Sequence, residues 1–194
     1  MIDRIIENVY ISGAGDVLAG DGLLKYGITH VLTVSAIAVP INRRVPSIKY
    51  HFIFIMDLPN QDILGGGQLA EGVAYISDVL NSGGGVLVHC EVGVSRSPTV
   101  VAAYIMQKFR FTAEKAIELI KKSRPIVCPN EGFVAQLQIY EQLKYKTDKA
   151  SLSESRPYKN WTISSGNLPT RGKLTYLALK ILIIRSSGAA TLRI

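Results

Sequence analysis

Short strand-like runs alternate with helix-like segments along most of this chain, and this alternation is the feature that most constrains its fold. Four runs rich in β-branched and aromatic residues, each bounded by Gly, Pro or Asn, cover residues 9–11, 29–34, 50–55 and 85–89. Apolar residues recur at the spacing of a helix over 69–80, 113–120 and 133–144. Because strands separated by helices form covered parallel sheets, we expect an α/β three-layer sandwich, with a central, mostly parallel sheet of about five strands flanked by helices.

The distribution of charge separates a nearly neutral part of the chain from a basic one. The net charge of the 194 residues is +7, but residues 1–149 contain 15 Lys and Arg against 14 Asp and Glu, whereas residues 150–194 contain 7 against 1. We therefore expect a folded domain over 1–149 without a nucleic-acid surface, and a basic C-terminal extension of uncertain order over 150–194 that could dock a partner. The Ser-rich segment 151–157 is typical of a linker.

The extension also contains an apolar segment, Leu174–Ile184, flanked by cations. Its spacing follows no single period, so three interpretations stay open: an element packed on the domain or a partner, a helix on a membrane surface, and an ill-ordered segment.

The composition also bounds the cellular setting. Two cysteines and three histidines are too few for a disulfide framework or a four-ligand zinc site, so we expect no metal. The apolar runs are far shorter than the roughly 18 residues of a membrane span, and the N-terminal residues lack the apolar core of a signal peptide. We expect no transmembrane segment and a location in the cytoplasm, the nucleus or both.

The segment His89–Pro98, with the sequence HCEVGVSRSP, lies where the fourth predicted strand ends and a helix begins. A strand-to-helix turn of this kind directs successive backbone N–H groups inward, and the helix dipole adds positive charge, so the segment predicts an anion cradle. Ser97 is the expected N-cap, with Pro98 as the first helical residue. The predicted substrate-binding residues are Glu91, Val92, Gly93, Val94, Ser95 and Arg96.

Cys90 and Arg96 give this cradle its predicted chemistry. A thiol at a helix N-terminus beside a cation loses its proton readily, so Cys90 is the candidate nucleophile. The planar guanidinium of Arg96 can hold two oxygens of a tetrahedral dianion during transfer. The pair predicts phosphoryl transfer through a cysteinyl-phosphate intermediate, which water then hydrolyses. The leaving group needs a proton, and Asp57, which follows the third predicted strand, is the candidate acid.

Residues 89–98 resemble the HCxxGxSRS signature of the cysteine-dependent protein phosphatases, in the dual-specificity branch. Residues 5–12, 27–34, the Asp57 loop and 130–133 recur in the family's order, so the resemblance covers roughly residues 4–146. The pattern from Asn130 onward is similar to the atypical subgroup that usually carries a C-terminal zinc module. The extension here contains no Cys or His, so that module is absent from this sequence.

The resemblance implies a phosphatase-type fold and a role for several further residues. Asp57 matches the family's general acid because a second Asp, Asp62, follows five residues later as a structural carboxylate. His89 would keep the surroundings of the nucleophile in shape, and the Ser97 hydroxyl would bond the departing sulfur. Asn130 would brace the loop, although a polar turn residue before a helix is an equally good interpretation.

We therefore expect a protein phosphatase that needs no cofactor and hydrolyses phosphotyrosine and phosphoserine/threonine in phosphorylated proteins. One alternative is a phosphoinositide or RNA 5′-phosphatase, but such sites usually carry Lys or Arg where this loop has Glu91 and Val92. Another is a non-catalytic phosphoprotein-binding module, which would normally lack one of the three key residues. A redox role for Cys128, near Asn130, is a further hypothesis.

Overall fold

The computed structural model describes residues 1–20 and 22–167 of the chain. The strands are β1 (Asp3–Ile6), β2 (Val9–Ser12), β3 (His30–Ser35), β4 (Lys49–Phe54) and β5 (Val86–His89). The helices are α1 (Ala14–Ala19), α2 (Gln68–Asn81), α3 (Arg96–Phe109), α4 (Ala113–Ser123), α5 (Glu131–Gln142), α6 (Lys149–Glu154) and α7 (Arg156–Ser164). Single 3-10 turns occur at Leu24–Tyr26 and Ile41–Arg43.

The five strands form one sheet in the order β1-β2-β5-β3-β4. The pairs β2–β5, β5–β3 and β3–β4 are parallel, whereas β1 pairs with β2 in the antiparallel direction. The four predicted strands are present with ends shifted by a residue, and the predicted mostly parallel sheet is confirmed. The sequence pattern missed β1, which is short and begins with two charged residues, so it has no run of apolar side chains.

Side chains at alternate positions along the strands are buried in two separate hydrophobic clusters, one on each face of the sheet. On one face, Val9, Leu32 and Val88 pack against α2, α3, α4 and α5. On the other face, Tyr10 and Leu87 pack with residues of α1 and of the loops around the 3-10 turns. The sheet is therefore covered on both faces, as the three-layer expectation requires.

The carboxyl ends of the parallel strands meet at one edge of the sheet. The last residues of β2 and β5, Ser12 and His89, are paired, and so are those of β3 and β4, Ser35 and Phe54. Strand β3 extends two residues beyond His89, which pairs with Thr33. In open α/β sheets this edge is where ligands bind. The segment after β5 leads directly into α3 and occupies this edge.

The chain continues past residue 149 in two short helices that pack on the domain, so the interpretation of 151–157 as a linker is wrong. Asp148 caps α6 and Ser155 caps α7 through side-chain hydrogen bonds, and Leu152 is buried in the main core. Polar capping residues and loop residues are of the same types, and local composition did not separate them. The division at 149 itself stays a prediction. The segment Leu174–Ile184 lies outside the described residues.

Among the described residues, no helix is long and apolar enough to cross a membrane. Within the same part of the chain, no group of three or more His, Cys, Asp or Glu side chains could hold a metal ion.

Candidate active site

The loop of residues 90–95, here called the phosphate loop, has its backbone carbonyls held from outside. The Glu91 carbonyl accepts a hydrogen bond from the Ala14 N–H at 3.0 Å, and the Val94 carbonyl accepts one from the Cys128 N–H at 2.9 Å. Arg124 holds the two carbonyls between them, with Nη2 donating to Val92 O at 2.9 Å and Nε to Gly93 O at 2.8 Å. Four successive carbonyls thus point away from the centre of the loop.

The N–H groups of the same peptides consequently point inward. In a trans peptide the C=O and N–H bonds are antiparallel, and no cis peptide occurs among the described residues. The Gly93 N–H shows the result, because it donates to Cys90 Sγ at 3.2 Å. Gly93 has a φ of +72°, and a Cβ there would lie 2.5 Å from the Ser12 carbonyl oxygen and 2.8 Å from Arg124 Nη2. Only glycine allows this close approach.

Ser97 lies beneath the nucleophile rather than at the cap of the helix. Helix α3 begins at Arg96, so Ser95 occupies the N-cap position, Ser97 is the second helical residue and Pro98 the third. The predicted N-cap role of Ser97 is therefore wrong. Its hydroxyl is fully buried and donates to Cys90 Sγ at 3.3 Å. This contact with the sulfur is the one that the resemblance implied.

The surroundings of Cys90 favour the thiolate. The thiol is 2% exposed, and burial by itself would raise its pKa. Hydrogen bonds from the side chain and backbone of Ser97 and from the Gly93 N–H, together with the charge of Arg96, nevertheless lower the pKa of Cys90 below the ordinary value of a thiol. A lowered pKa favours the thiolate, the form that the predicted nucleophilic role of Cys90 needs.

His89 is buried behind the nucleophile and is held neutral. Its Nδ1 lies 3.2 Å from the Cys90 carbonyl oxygen, and its Nε2 lies 2.8 Å from the Thr33 hydroxyl. Because a carbonyl only accepts, Nδ1 carries the proton and Nε2 accepts from Thr33. Burial lowers the pKa of His89 to about 4, against a raising effect of the Cys90 backbone contact. A neutral imidazole here orients the chain at the nucleophile and is not a base for the reaction.

This buried histidine should make the free energy of unfolding depend on pH in a defined window. The unfolded chain binds a proton as pH falls below 6.5, whereas folded His89 binds it only near pH 4. Stability from this group is therefore complete above pH 6.5 and is lost as pH falls toward about 4, by about 3 kcal/mol in total. Urea unfolding across this window should show a shallower loss for His89→Asn than for the wild type. Equal slopes of the unfolding free energy against pH for the two proteins would contradict the assignment of this pH dependence to His89.

The side chain of Arg96 is oriented by groups at the ends of two neighbouring strands. Its Nη1 donates to the Ser35 hydroxyl at 3.3 Å and to the Ile55 carbonyl at 3.4 Å. Its Nε is buried and donates to no acceptor among the described residues. A buried guanidinium with a free donor, next to inward-pointing N–H groups, is suited to hold oxygens of a tetrahedral dianion.

The carboxylate of Asp57 is fixed beside the phosphate loop by two donors on one oxygen. The Ser95 hydroxyl donates to Oδ1 at 2.7 Å, and Asn130 Nδ2 donates to the same oxygen at 2.8 Å. The Asn130 N–H donates to Ser95 Oγ at 3.1 Å, which closes the triangle. The other oxygen, Oδ2, lies 3.7 Å from Arg96 Nε as an ion pair. These contacts place the carboxylate of the predicted general acid beside the phosphate loop.

A cavity of about 290 Å³ opens between these groups. Its lining consists of Asp57, Cys90, Val92, Val94, Ser95 and Arg96. The structure thus brings the predicted nucleophile, acid and arginine to one cavity, with Ser97, His89 and Asn130 in contact with them.

Three contributions to the site have no recognisable signal in the sequence. Arg124, which holds the phosphate loop, is one of several cations near the end of α4. Thr33 and Ser35 lie in the largely apolar strand β3. Their contacts with His89 and Arg96 become visible only when the strands are assembled in the sheet. Cys128 contacts the loop through its backbone, its side chain is exposed, and both cysteines are free. Its redox role stays a prediction.

Comparisons with known proteins agree with this geometry. The family model described as dual specificity phosphatase, catalytic domain, matches residues 9–143. Dual specificity protein phosphatase 12 of Mus musculus is 39% identical over 149 residues, which are 76% of this chain but only 43% of that protein. Dual specificity protein phosphatase 1B of Arabidopsis thaliana is 37% identical over 141 residues, with 73% of this chain and 82% of that protein covered.

A solved structure shares the same architecture. The Yvh1 phosphatase domain from Chaetomium thermophilum has a TM-score of 0.68 and 29% identity, and the match covers 77% of this chain and all of that chain (100%). The similarity confirms the α/β phosphatase fold expected from the sequence. With a family model matched over more than half of its length, the chain belongs to the dual specificity phosphatase family.

Proposed function

We propose that this chain is a protein phosphatase that hydrolyses phosphotyrosine and phosphoserine/threonine through a cysteinyl-phosphate intermediate. The observation that carries the proposal is the convergence of Cys90, Arg96 and Asp57 on one cavity. The Cys90 thiolate attacks phosphorus while Arg96 and the N–H groups of the phosphate loop hold the other oxygens. Asp57 gives its proton to the leaving oxygen.

The second step uses the same groups, but Asp57 now accepts a proton instead of donating one. Asp57, now ionised, accepts a proton from a water molecule that attacks the phosphocysteine. The Ser97 hydroxyl, 3.3 Å from the sulfur, stabilises the thiolate as it leaves. Phosphate and the free enzyme result, and no metal or cofactor takes part in these steps.

The cavity wall favours a phosphorylated protein over a ligand with several phosphates. Among the lining residues, Arg96 is the single cation, whereas Val92 and Val94 are apolar. Val92 is 61% exposed, and Met56 and Leu58 on either side of Asp57 are exposed as well. An apolar rim suits the side chains around a phosphorylated residue, and additional phosphate groups would lack charged partners. The three reactive residues also distinguish this chain from a purely binding module.

Asp57→Asn tests the proposal through the leaving group. An alkyl leaving group, as in a phosphothreonine peptide, needs the proton, so we expect its kcat/KM, which reports the first step alone, to fall by about 10²–10⁴-fold. An activated aryl phosphate departs without a proton, so its kcat/KM should fall far less, although the second step that both substrates share is slowed equally. Steady-state kinetics on both substrates, with phosphate release as the readout, checks the difference.

Asp78→Asn, at an exposed acid of α2 that does not line the cavity, is a control that should not discriminate between the two substrates. Equal losses on both substrates for Asp57→Asn would show that Asp57 is not the acid. Activity confined to aryl phosphates and phosphotyrosine in the wild type would restrict the proposal to tyrosine.

We also propose that the basic C-terminal residues dock acidic partners. Residues 168–194 contain five Lys and Arg and no Asp or Glu. Truncation after Asn167 keeps α6 and α7, so aryl phosphate turnover should persist while salt-sensitive binding to acidic peptides falls. Equal binding by the two forms would exclude this surface.

For location we propose the cytoplasm, the nucleus or both. The support is chemical, since a nucleophilic thiol and a second exposed thiol remain reduced there. Immunofluorescence of the native protein, with fractionation as a second measurement, tests the location.

A further inference from the structure

The loop that carries Asp57, here called the acid loop (residues 56–62), is anchored at its far end as well as at the cavity. Asp62 accepts the Gly65 N–H on Oδ1 at 2.7 Å and the Tyr158 hydroxyl on Oδ2 at 2.5 Å. The side chain of Asn167 donates to the Asn60 carbonyl. Tyr158 lies in α7 and Asn167 follows it closely, so α7 and the residues just after it hold the acid loop from outside.

Several neighbouring groups favour the hydrogen bond between Tyr158 and Asp62. The tyrosine ring is half-buried and stacks on Trp161 at a centroid distance of 6.4 Å. Burial and the neighbouring Asp62 carboxylate both raise the pKa of Tyr158, so its hydroxyl remains a donor. Gly65 makes room for the pair, because a Cβ there would overlap the Tyr158 hydroxyl and an Asp62 oxygen.

A second anchor connects this far end with the residue before Asp57. Gln136 of α5 accepts the Ile63 N–H at 2.8 Å and donates to the Gln61 carbonyl at 2.8 Å. The Gln61 side chain in turn accepts the Met56 N–H at 2.6 Å. Gln61, the sequence neighbour of Asp62, is thus hydrogen-bonded to Met56, which directly precedes the acid.

We propose that α7 is a positioning element for the general acid, in which Tyr158 acts through Asp62 to fix the acid loop and so the place of Asp57 over the cavity. The inference rests on the proposed role of Asp57. Helix α7 lies beyond residue 143, where the match to the family model ends. The hydrogen bond between Tyr158 and Asp62 therefore connects a helix outside the matched region with a loop inside it.

Tyr158→Phe tests the proposal because it keeps the ring and its stacking and removes the hydroxyl. The kcat/KM of a phosphothreonine peptide, which reports the first step, should fall by roughly two- to tenfold, the change that loss of one hydrogen bond of typical net strength supports. The kcat/KM of an activated aryl phosphate should stay at the wild-type value, since its leaving group needs no proton from Asp57. Thermal unfolding of the variant shows whether the fold is intact.

Tyr145→Phe is the matched control. Its hydroxyl donates to the Phe111 carbonyl at 3.2 Å, away from the acid loop, so neither substrate should be affected. Asp62→Ala offers a second route, because it removes the carboxylate that accepts the Tyr158 hydroxyl and should reproduce the selective loss. If Tyr158→Phe alone unfolds, this second variant decides the question.

The Asp57→Asn background separates the two proposals. Adding Tyr158→Phe to Asp57→Asn should cause no further loss, because the acid through which Tyr158 acts is already absent. A selective effect of Asp57→Asn without one of Tyr158→Phe would overturn the role of α7 alone. Equal losses on both substrates for Tyr158→Phe would also overturn it. If Asp57→Asn shows no selectivity, the acid assignment falls and the role of α7 falls with it.

Discussion

Cys90→Ser is expected to abolish hydrolysis of aryl phosphates and phosphopeptides, by at least about 10³-fold, while the thermal unfolding midpoint stays close to that of the wild type. The hydrogen bonds of Gly93 and Ser97 lower the pKa of the thiol, but no such set brings a serine hydroxyl within reach of ionisation near pH 7. The side chain is buried and similar in size, so the fold should not change.

Acid quenching during turnover provides a direct measurement for the same prediction. The wild type should carry phosphate on Cys90, which mass spectrometry detects, and Cys90→Ser should not. Cys128→Ser is the control, since Cys128 contacts the loop only through its backbone N–H. Turnover by Cys90→Ser above roughly a tenth of the wild-type rate would contradict covalent catalysis by this cysteine.

Arg96→Lys should lower kcat by about 10²–10³-fold although the charge is kept. The guanidinium is held by Ser35 and by the Ile55 carbonyl, and its Nε is left free for a ligand. A lysine ammonium cannot reach both strand ends and grip two oxygens at once. The pKa of Cys90 should change little, because Arg96 is the smallest of the contributions that lower it.

Arg110→Lys is a suitable control for this variant. Its guanidinium lies 5.2 Å from the centre of the Tyr145 ring and outside the cavity, so the turnover should be preserved. Iodoacetamide labelling of Cys90 at about pH 6 separates the two effects, since this neutral reagent reports the thiolate and not the binding of an anion by Arg96. An Arg96→Lys enzyme that is inactive and also labels slowly would mean that Arg96 acts mainly on the thiolate.

The parts of the fold and site that could be predicted from the sequence are those specified by adjacent residues. Four strands follow from runs of β-branched residues, and the phosphate loop follows from the order of Cys90, Gly93 and Arg96 after a strand. The placement of Asp57 depended on its position after another strand, together with the family resemblance.

The remainder depends on contacts between distant residues. Ser95 was expected only as a substrate-binding residue of the loop, and its hydrogen bond to Asp57 arises because the sheet brings residues 38 positions apart together. Arg124 contacts residues near both the start and the middle of the chain, which no local pattern reveals. Residues 151–157, which form most of α6 and the first two residues of α7, were interpreted as a linker because helix-capping residues resemble those of a loop.

The long-range supports of the phosphate loop also determine when this site comes into existence during synthesis. The proposed nucleophile of the site is Cys90. Arg124, which binds the outward-pointing carbonyls of the phosphate loop, and Asn130, which binds Asp57, come much later in the chain. A nascent chain that has emerged only as far as α3 therefore carries a complete signature without an organised site. Phosphatase activity would be gained late and in one step, so its appearance during refolding would report completion of the whole domain.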